Sequence, residues 1–237
     1  MANGSDPDAV QPPRRKVGVL AKVAIWLTVA VVSLAVLWTL TLNFVARPFL
    51  IPSESMAPIL NRGDRIIANE FAYRFAEPKS GDVIVFTGPP NWNVGYKSMR
   101  SQNAALRWVQ DALSVVGFAP PDENQVIKRI IAVGGQTIEC RASTGLTVDG
   151  QRLDEPYLDP RTMGVDPTIY PCLGPEFGPV TVPADRLWVM GDNRTHSADS
   201  RVHCTSRPSD LERGLVCTGD DPTAGTVPIA NVVGKVP

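Results

Sequence analysis

Gln125-Val126-Ile127-Lys128-Arg129-Ile130-Ile131-Ala132-Val133, closed by Gly134-Gly135, is the stretch that decides the fold class. Its β-branched content and glycine stop read as a strand. Similar runs lie on either side. Arg65-Ile66-Ile67-Ala68 and Asp82-Val83-Ile84-Val85-Phe86 each open at a Gly-Asp turn, and Asp185-Arg186-Leu187-Trp188-Val189-Met190 ends at Gly191. Leu146-Thr147-Val148 and Gln151-Arg152-Leu153 flank Asp149-Gly150, a dipeptide that suits a tight hairpin. With Gly and Pro throughout, the chain is expected to be mainly β, an antiparallel-sheet domain over residues 47–237.

Two segments interrupt this pattern, at about residues 89–124 and 202–226. In the first, Ala105, Trp108, Val109, Ala112 and Val116 share one helical face, which is expected to pack against the domain rather than lie on a membrane. The second is rich in charge, Gly and Pro.

Ahead of the β domain, residues 23–46 carry no charge. As a helix they would span roughly 35 Å, enough to cross a bilayer with some tilt. A cleaved secretory signal is shorter and exits through small residues, whereas this segment exits through Phe44-Val45-Ala46-Arg47-Pro48. Arg14, Arg15, Lys16 and Lys22 precede the span and only Arg47 follows closely. The positive-inside bias therefore predicts a cytoplasmic N-terminus and an extracytoplasmic domain. Residues 1–22 read as a disordered cytoplasmic tail.

The formal net charge of -1 argues against a nucleic-acid partner. All four cysteines, Cys140, Cys172, Cys204 and Cys217, follow the span, where disulfides persist. Of three possible connectivities, Cys140–Cys172 with Cys204–Cys217 closes the more modest loops. No Cys-x-x-Cys pair points to a metal.

Candidate chemistry lies in three stretches. Ile51-Pro52-Ser53-Glu54-Ser55-Met56-Ala57-Pro58 puts two hydroxyls between stiffening prolines just past the span. A serine hydroxyl needs a base. His196 and His203 are the two histidines, and a Ser-His-Asp triad through either competes with a lysine base. Lys128 sits inside the apolar strand, where desolvation would lower its pKa; alternation equally allows it to face water. The third stretch, Gly191-Asp192-Asn193-Arg194-Thr195-His196-Ser197-Ala198-Asp199-Ser200-Arg201, mixes both charges with hydroxyls after a strand.

Together these stretches resemble the type I signal peptidase family. The shared blocks run in the family's order behind the span: Ser53 to Pro58, Gly63 to Ile66, Gly81 to Phe86, Ile127 to Arg129, and Gly191 to Arg201. Glu54 stands where many relatives have Gly. The resemblance implies a serine endopeptidase that removes signal peptides from secreted preproteins, at a plasma membrane and without cofactor or metal. It makes Ser55 the nucleophile and Lys128 the general base. Ser53 would serve the oxyanion hole, and Ser197 would hydrogen-bond the lysine amine. Asp199 with Arg201, and Arg129 with Asp192, would support the site. Phe49, Ile51, Met56, Leu60, Val126 and Ile127 are expected to line the pocket for small side chains. Two other readings compete: an anchored β domain that binds peptides without catalysis, and a Ser/Lys self-cleaving regulator. The first would not need the Ser55–Lys128 pair, and the second would need a DNA-binding region.

Overall fold

The computed structural model describes residues 18–44, 46–92, 98, 100–115, 124–204, 217, 221 and 223–237. Most of the expected tail lies outside these residues. The chain divides into an N-terminal helical unit and a β unit.

Helix α1 spans Val19–Phe44, so it starts earlier and ends sooner than the 23–46 read from the absence of charge. Its window Val19–Leu40 has a mean hydropathy of 2.3 and none of it is buried by protein. Such a helix is long and apolar enough to cross a membrane. Thr28 satisfies its hydroxyl on the Ala24 carbonyl at 2.9 Å, which makes it compatible with an apolar surround.

The β unit holds two antiparallel sheets. The strands are β1 (Ala46–Leu50), β2 (Arg65–Asn69), β3 (Val83–Thr87), β4 (Gln125–Val133), β5 (Thr137–Arg141), β6 (Gly145–Val148), β7 (Gln151–Arg152), β8 (Phe177–Thr181), β9 (Arg186–Met190), β10 (Val227–Pro228) and β11 (Val232–Val236). The larger sheet runs β1-β2-β11-β3-β4-β9-β10 and the smaller β7-β6-β5-β8. The predicted hairpin is present, with Asp149 and Gly150 both at positive φ, 51° and 75°. The class is mainly β, as the strand pattern predicted.

β4 is the spine of the larger sheet. It pairs with β3 from Gln125 to Arg129 and with β9 from Arg129 to Val133, with a register shift between Ile130 and Ala132. Both of its faces are covered. Ile127 packs with Ile51, Met56 and Val85, while Ile130 packs with Ile84, Phe86 and Leu187. Between the sheets, Ile131, Trp188 and Met190 meet Ile138, Phe177 and Val180, and the Phe177 and Trp188 rings stack at 5.4 Å.

Cys140 pairs with Cys172 and Cys204 with Cys217. Within residues 89–124, α2 spans Ala104–Val115, inside the segment where helical periodicity was read. Its apolar face is not packed, contrary to expectation: Trp108 is 72% exposed. Val116 lies outside the described residues. Short α3 (Pro160–Met163) and α4 (Ser200–His203) are the other α-helices among the described residues.

Candidate active site

The loop after β1 carries Ser55 into the interior, where it is 6% exposed. Its neighbours Ile51 and Met56 anchor it in the apolar cluster beneath β1 and β4. Two contacts from the loop after β9 hold its backbone. Asn193 N–H donates to the Ser55 carbonyl at 3.0 Å, and Asn193 Nδ2 donates to the Glu54 carbonyl at 3.2 Å.

Lys128 projects from β4 and is 3% exposed. Because both faces of the strand are covered, alternation does not deliver the side chain to water. Lys128 Nζ lies 2.6 Å from Ser55 Oγ. Ser53 Oγ lies 3.2 Å from the same oxygen. Burial pushes the Lys128 amine down from 10.5 to about 8, against the pull of the Asp199 and Asp192 carboxylates. Arg201 adds to the lowering. The amine is thus still mostly protonated at pH 7, but the neutral fraction a proton acceptor needs becomes large near pH 8, well below the ordinary lysine range.

The residues 191–201 wrap around this pair through two bidentate ion pairs. Arg201 Nε and Nη2 each reach Asp199 at 2.9 Å, and Gly191 N–H donates to the same carboxylate at 3.1 Å. Burial alone would raise the Asp199 carboxyl; the Arg201 charge and these hydrogen bonds hold it below the usual carboxylate range. Arg129 reaches Asp192 through Nε and Nη2 at 2.8 and 2.6 Å and donates to the Gly81 carbonyl at 2.8 Å. Paired forks of this kind fix orientation as well as charge. Between them Arg194 is buried, bonded to the Gly191 carbonyl, to Glu155 and to Tyr157 Oη.

Ser197 behaves differently from expectation. Its hydroxyl is buried and forms no hydrogen bond of ordinary geometry, although it lies close enough to Asp199 to help keep that carboxylate ionised. Lys128 Nζ is committed to Ser55 instead, its one side-chain hydrogen bond among the described residues. Gly191 explains the crowding. A Cβ there would overlap both the Ser197 hydroxyl and the Ser55 carbonyl.

A cleft of about 330 Å³ opens over the pair, lined by Ile51, Ser53, Met56, Val126, Ile127 and His196 among others. Four of the six expected lining residues are there. Phe49 and Leu60 are not: Phe49 is buried in the cluster under the sheet, and Leu60 packs on it from the edge. Among the described residues, neither histidine is hydrogen-bonded to Ser55 Oγ. His196 Nδ1 meets Thr195 Oγ1 and Asn193 Oδ1, and His203 stacks on Trp92 at 4.3 Å.

The sequence reading missed Asn193, Arg194, Glu155 and Tyr157 as site-building residues. Asn193 and Arg194 stood inside a quoted motif; Glu155 and Tyr157 gave no local signal.

Comparison with known proteins agrees with this geometry. Residues 23–237 match the family described as signal peptidase, peptidase S26. The chain is 60% identical over 230 residues to signal peptidase I of Mycobacterium tuberculosis, covering 95% of this chain and 74% of that one. It is 63% identical over 204 residues to a probable signal peptidase I of Mycobacterium leprae, covering 84% and 70%. A crystal structure of a signal peptidase I from Enterococcus faecalis is similar at 22% identity and a TM-score of 0.39, over 68% of this chain and 98% of that one. The chain belongs to the S26 family of signal peptidases and is a serine peptidase.

Proposed function

We propose that this chain is a membrane-bound endopeptidase that removes signal peptides from exported preproteins after Ala-x-Ala-like sites, through a Ser55–Lys128 dyad. The observation that carries this reading is the buried 2.6 Å contact between Lys128 Nζ and Ser55 Oγ.

Neutral Lys128 takes the Ser55 proton as Oγ attacks the carbonyl carbon of the residue before the cut. The tetrahedral oxyanion is met by the Ser53 hydroxyl and the Ser55 N–H. The Lys128 ammonium then returns its proton to the leaving amine, and the mature protein departs. Lys128 next deprotonates a water that hydrolyses the acyl ester and frees Ser55. The ion pairs Asp199–Arg201 and Asp192–Arg129 keep the loop rigid through both steps. Ser197 is reserved for aiming the amine, a contact absent from the resting geometry.

The preprotein adds to the sheet as an extended strand. β9 pairs with β4 only from Arg129 onward, and among the described residues no strand covers that edge of residues 126–128 beside the cleft. The walls formed by Ile51, Met56, Val126 and Ile127 admit small side chains and exclude large ones. Helix α1 anchors the enzyme as a single pass in the plasma membrane. The basic residues before it keep the N-terminus cytoplasmic and the peptidase extracytoplasmic.

The test is cleavage of a preprotein with Ala at the first and third positions before the cut, followed across pH. Because the base must be neutral, kcat/KM is expected to rise about tenfold per pH unit below about 8 and to level off above it. A profile flat from pH 5 to 9 would exclude a lysine base. Ser53→Ala is expected to lower kcat by about 10²–10³-fold with little change in KM, the usual cost of one oxyanion donor. An unchanged kcat would remove Ser53 from that role.

A further inference from the structure

Helix α2 leaves uncovered the apolar face that a helix of a soluble domain would bury. At about 100° per residue, Ala104, Ala105, Leu106, Trp108, Val109, Ala112 and Leu113 form one broad apolar arc, with Arg107, Gln110, Asp111 and Ser114 opposite. The apolar arc is bare: Leu106, Trp108, Val109 and Leu113 are 57%, 72%, 44% and 41% exposed. The polar side is tied back to the chain that leads into the helix. Gln110 accepts from Ser101 N–H at 2.8 Å, and Asp111 pairs with the buried Arg100 at 3.0 Å. Asn103 caps the helix by accepting from Ala105 and Leu106 N–H. The polar side is thus partnered by the helix's own lead-in, while the apolar side is left uncovered.

The chain itself supplies a surface to meet it. α1 is long and apolar enough to cross a bilayer, and only Val45 separates its end from the start of β1. A domain tethered so closely faces lipid at a high effective concentration. The arc has an interfacial composition: a tryptophan, aliphatic side chains and no charge. On the other side Arg107 and Asp111 cancel, so attraction to anionic headgroups contributes little.

We propose that α2 is an interfacial helix that docks on the bilayer, lying in its plane with Leu106, Trp108, Val109 and Leu113 in the acyl-chain boundary. This contact is a second, reversible attachment beside α1. It depends on apolar burial and is insensitive to salt and to lipid charge.

The test uses the full chain in phosphatidylcholine vesicles. All four native cysteines are in disulfides, so an introduced cysteine is the one thiol available to label. An environment-sensitive fluorophore is placed at Ala112→Cys, in the apolar arc, or at Arg107→Cys, opposite. Emission at position 112 is expected to rise about threefold on reconstitution and to be quenched by spin labels high on the acyl chain. Position 107 is expected to show neither change, and 0.5 M salt is expected to alter nothing. The triple variant Leu106→Ser, Trp108→Ser, Leu113→Ser should abolish quenching at 112 with an unchanged melting curve, because these side chains support no core. Equal, weak quenching at both positions overturns the proposal. Shielding of position 112 only when preprotein is added also overturns it, making the face a substrate groove. Shielding that scales with protein density in lipid overturns it in favour of a second copy of the chain.

Discussion

Lys128→Met abolishes preprotein cleavage, with kcat lower by about 10⁴-fold or more and the fold intact. The substitution replaces the Nζ that lies 2.6 Å from Ser55 Oγ with an inert thioether chain, and leaves no group to take the serine proton. Losses of about 10⁴–10⁶ are usual when one member of such a unit goes. The same substitution is expected to stabilise the protein. The buried amine is depressed from 10.5 to about 8, so between those values the unfolded chain binds the proton more readily than the folded one. Stability therefore rises with pH across that window, and the full cost of burying the amine is present below it. Methionine removes that cost. Its melting temperature should exceed the wild type's by several degrees at pH 7, and the gap should close above pH 10. Measured kcat at wild-type level, or a melting temperature lowered at pH 7, would each contradict the assignment.

Gly191→Ala carries the second large effect, although the residue touches no substrate. Its Cβ would overlap the Ser197 hydroxyl and the carbonyl oxygen of Ser55, which Asn193 holds in place. A side-chain hydroxyl can rotate away; the backbone carbonyl cannot do so without taking the nucleophile with it. A shift of about 1 Å in such a group costs about 10²-fold in rate. Overpacking of this kind also costs about 1–3 kcal/mol of stability. The expected result is kcat lower by about 10²-fold, KM nearly unchanged, and a melting temperature lower by several degrees. Steady-state kinetics beside a thermal melt would check both, and a wild-type kcat would show that the loop accommodates the methyl group.

The sequence was most legible where local pattern and tertiary role coincide. β4 was readable because a long β-branched run has few other uses, and the Asp149-Gly150 turn because positive φ limits the choice of residues. Local pattern offered a lysine in that run and a serine in a proline-bounded loop only as candidates, and the family resemblance made them a pair. β5 and β8 were missed for opposite reasons. Thr137-Ile138-Glu139-Cys140-Arg141 alternates but is short and charged, whereas Phe177-Gly178-Pro179-Val180-Thr181 holds two residues that normally break strands. Phe49 and Leu60 were misplaced because hydrophobicity beside a motif does not distinguish a cleft wall from the core beneath it. The same limit applies to α2: periodicity gives an apolar face but not what the face meets. Glu155 and Tyr157 were invisible because their partner Arg194 lies far along the chain, at separations of 39 and 37 residues.

The clasp of Asn193 on the Ser55 loop sets an order of events in biosynthesis. Ser55 belongs to a segment made early, Lys128 comes 73 residues later, and the clamp on the Ser55 loop lies 139 residues beyond Glu54. None of these contacts is local, so a nascent chain that has exposed only its first half carries a serine with neither acceptor nor fixed geometry. Catalytic competence arrives late, when residues near 200 have been delivered and folded. With Ser55 and Lys128 as its working pair, the peptidase would be inert until its assembly is nearly finished.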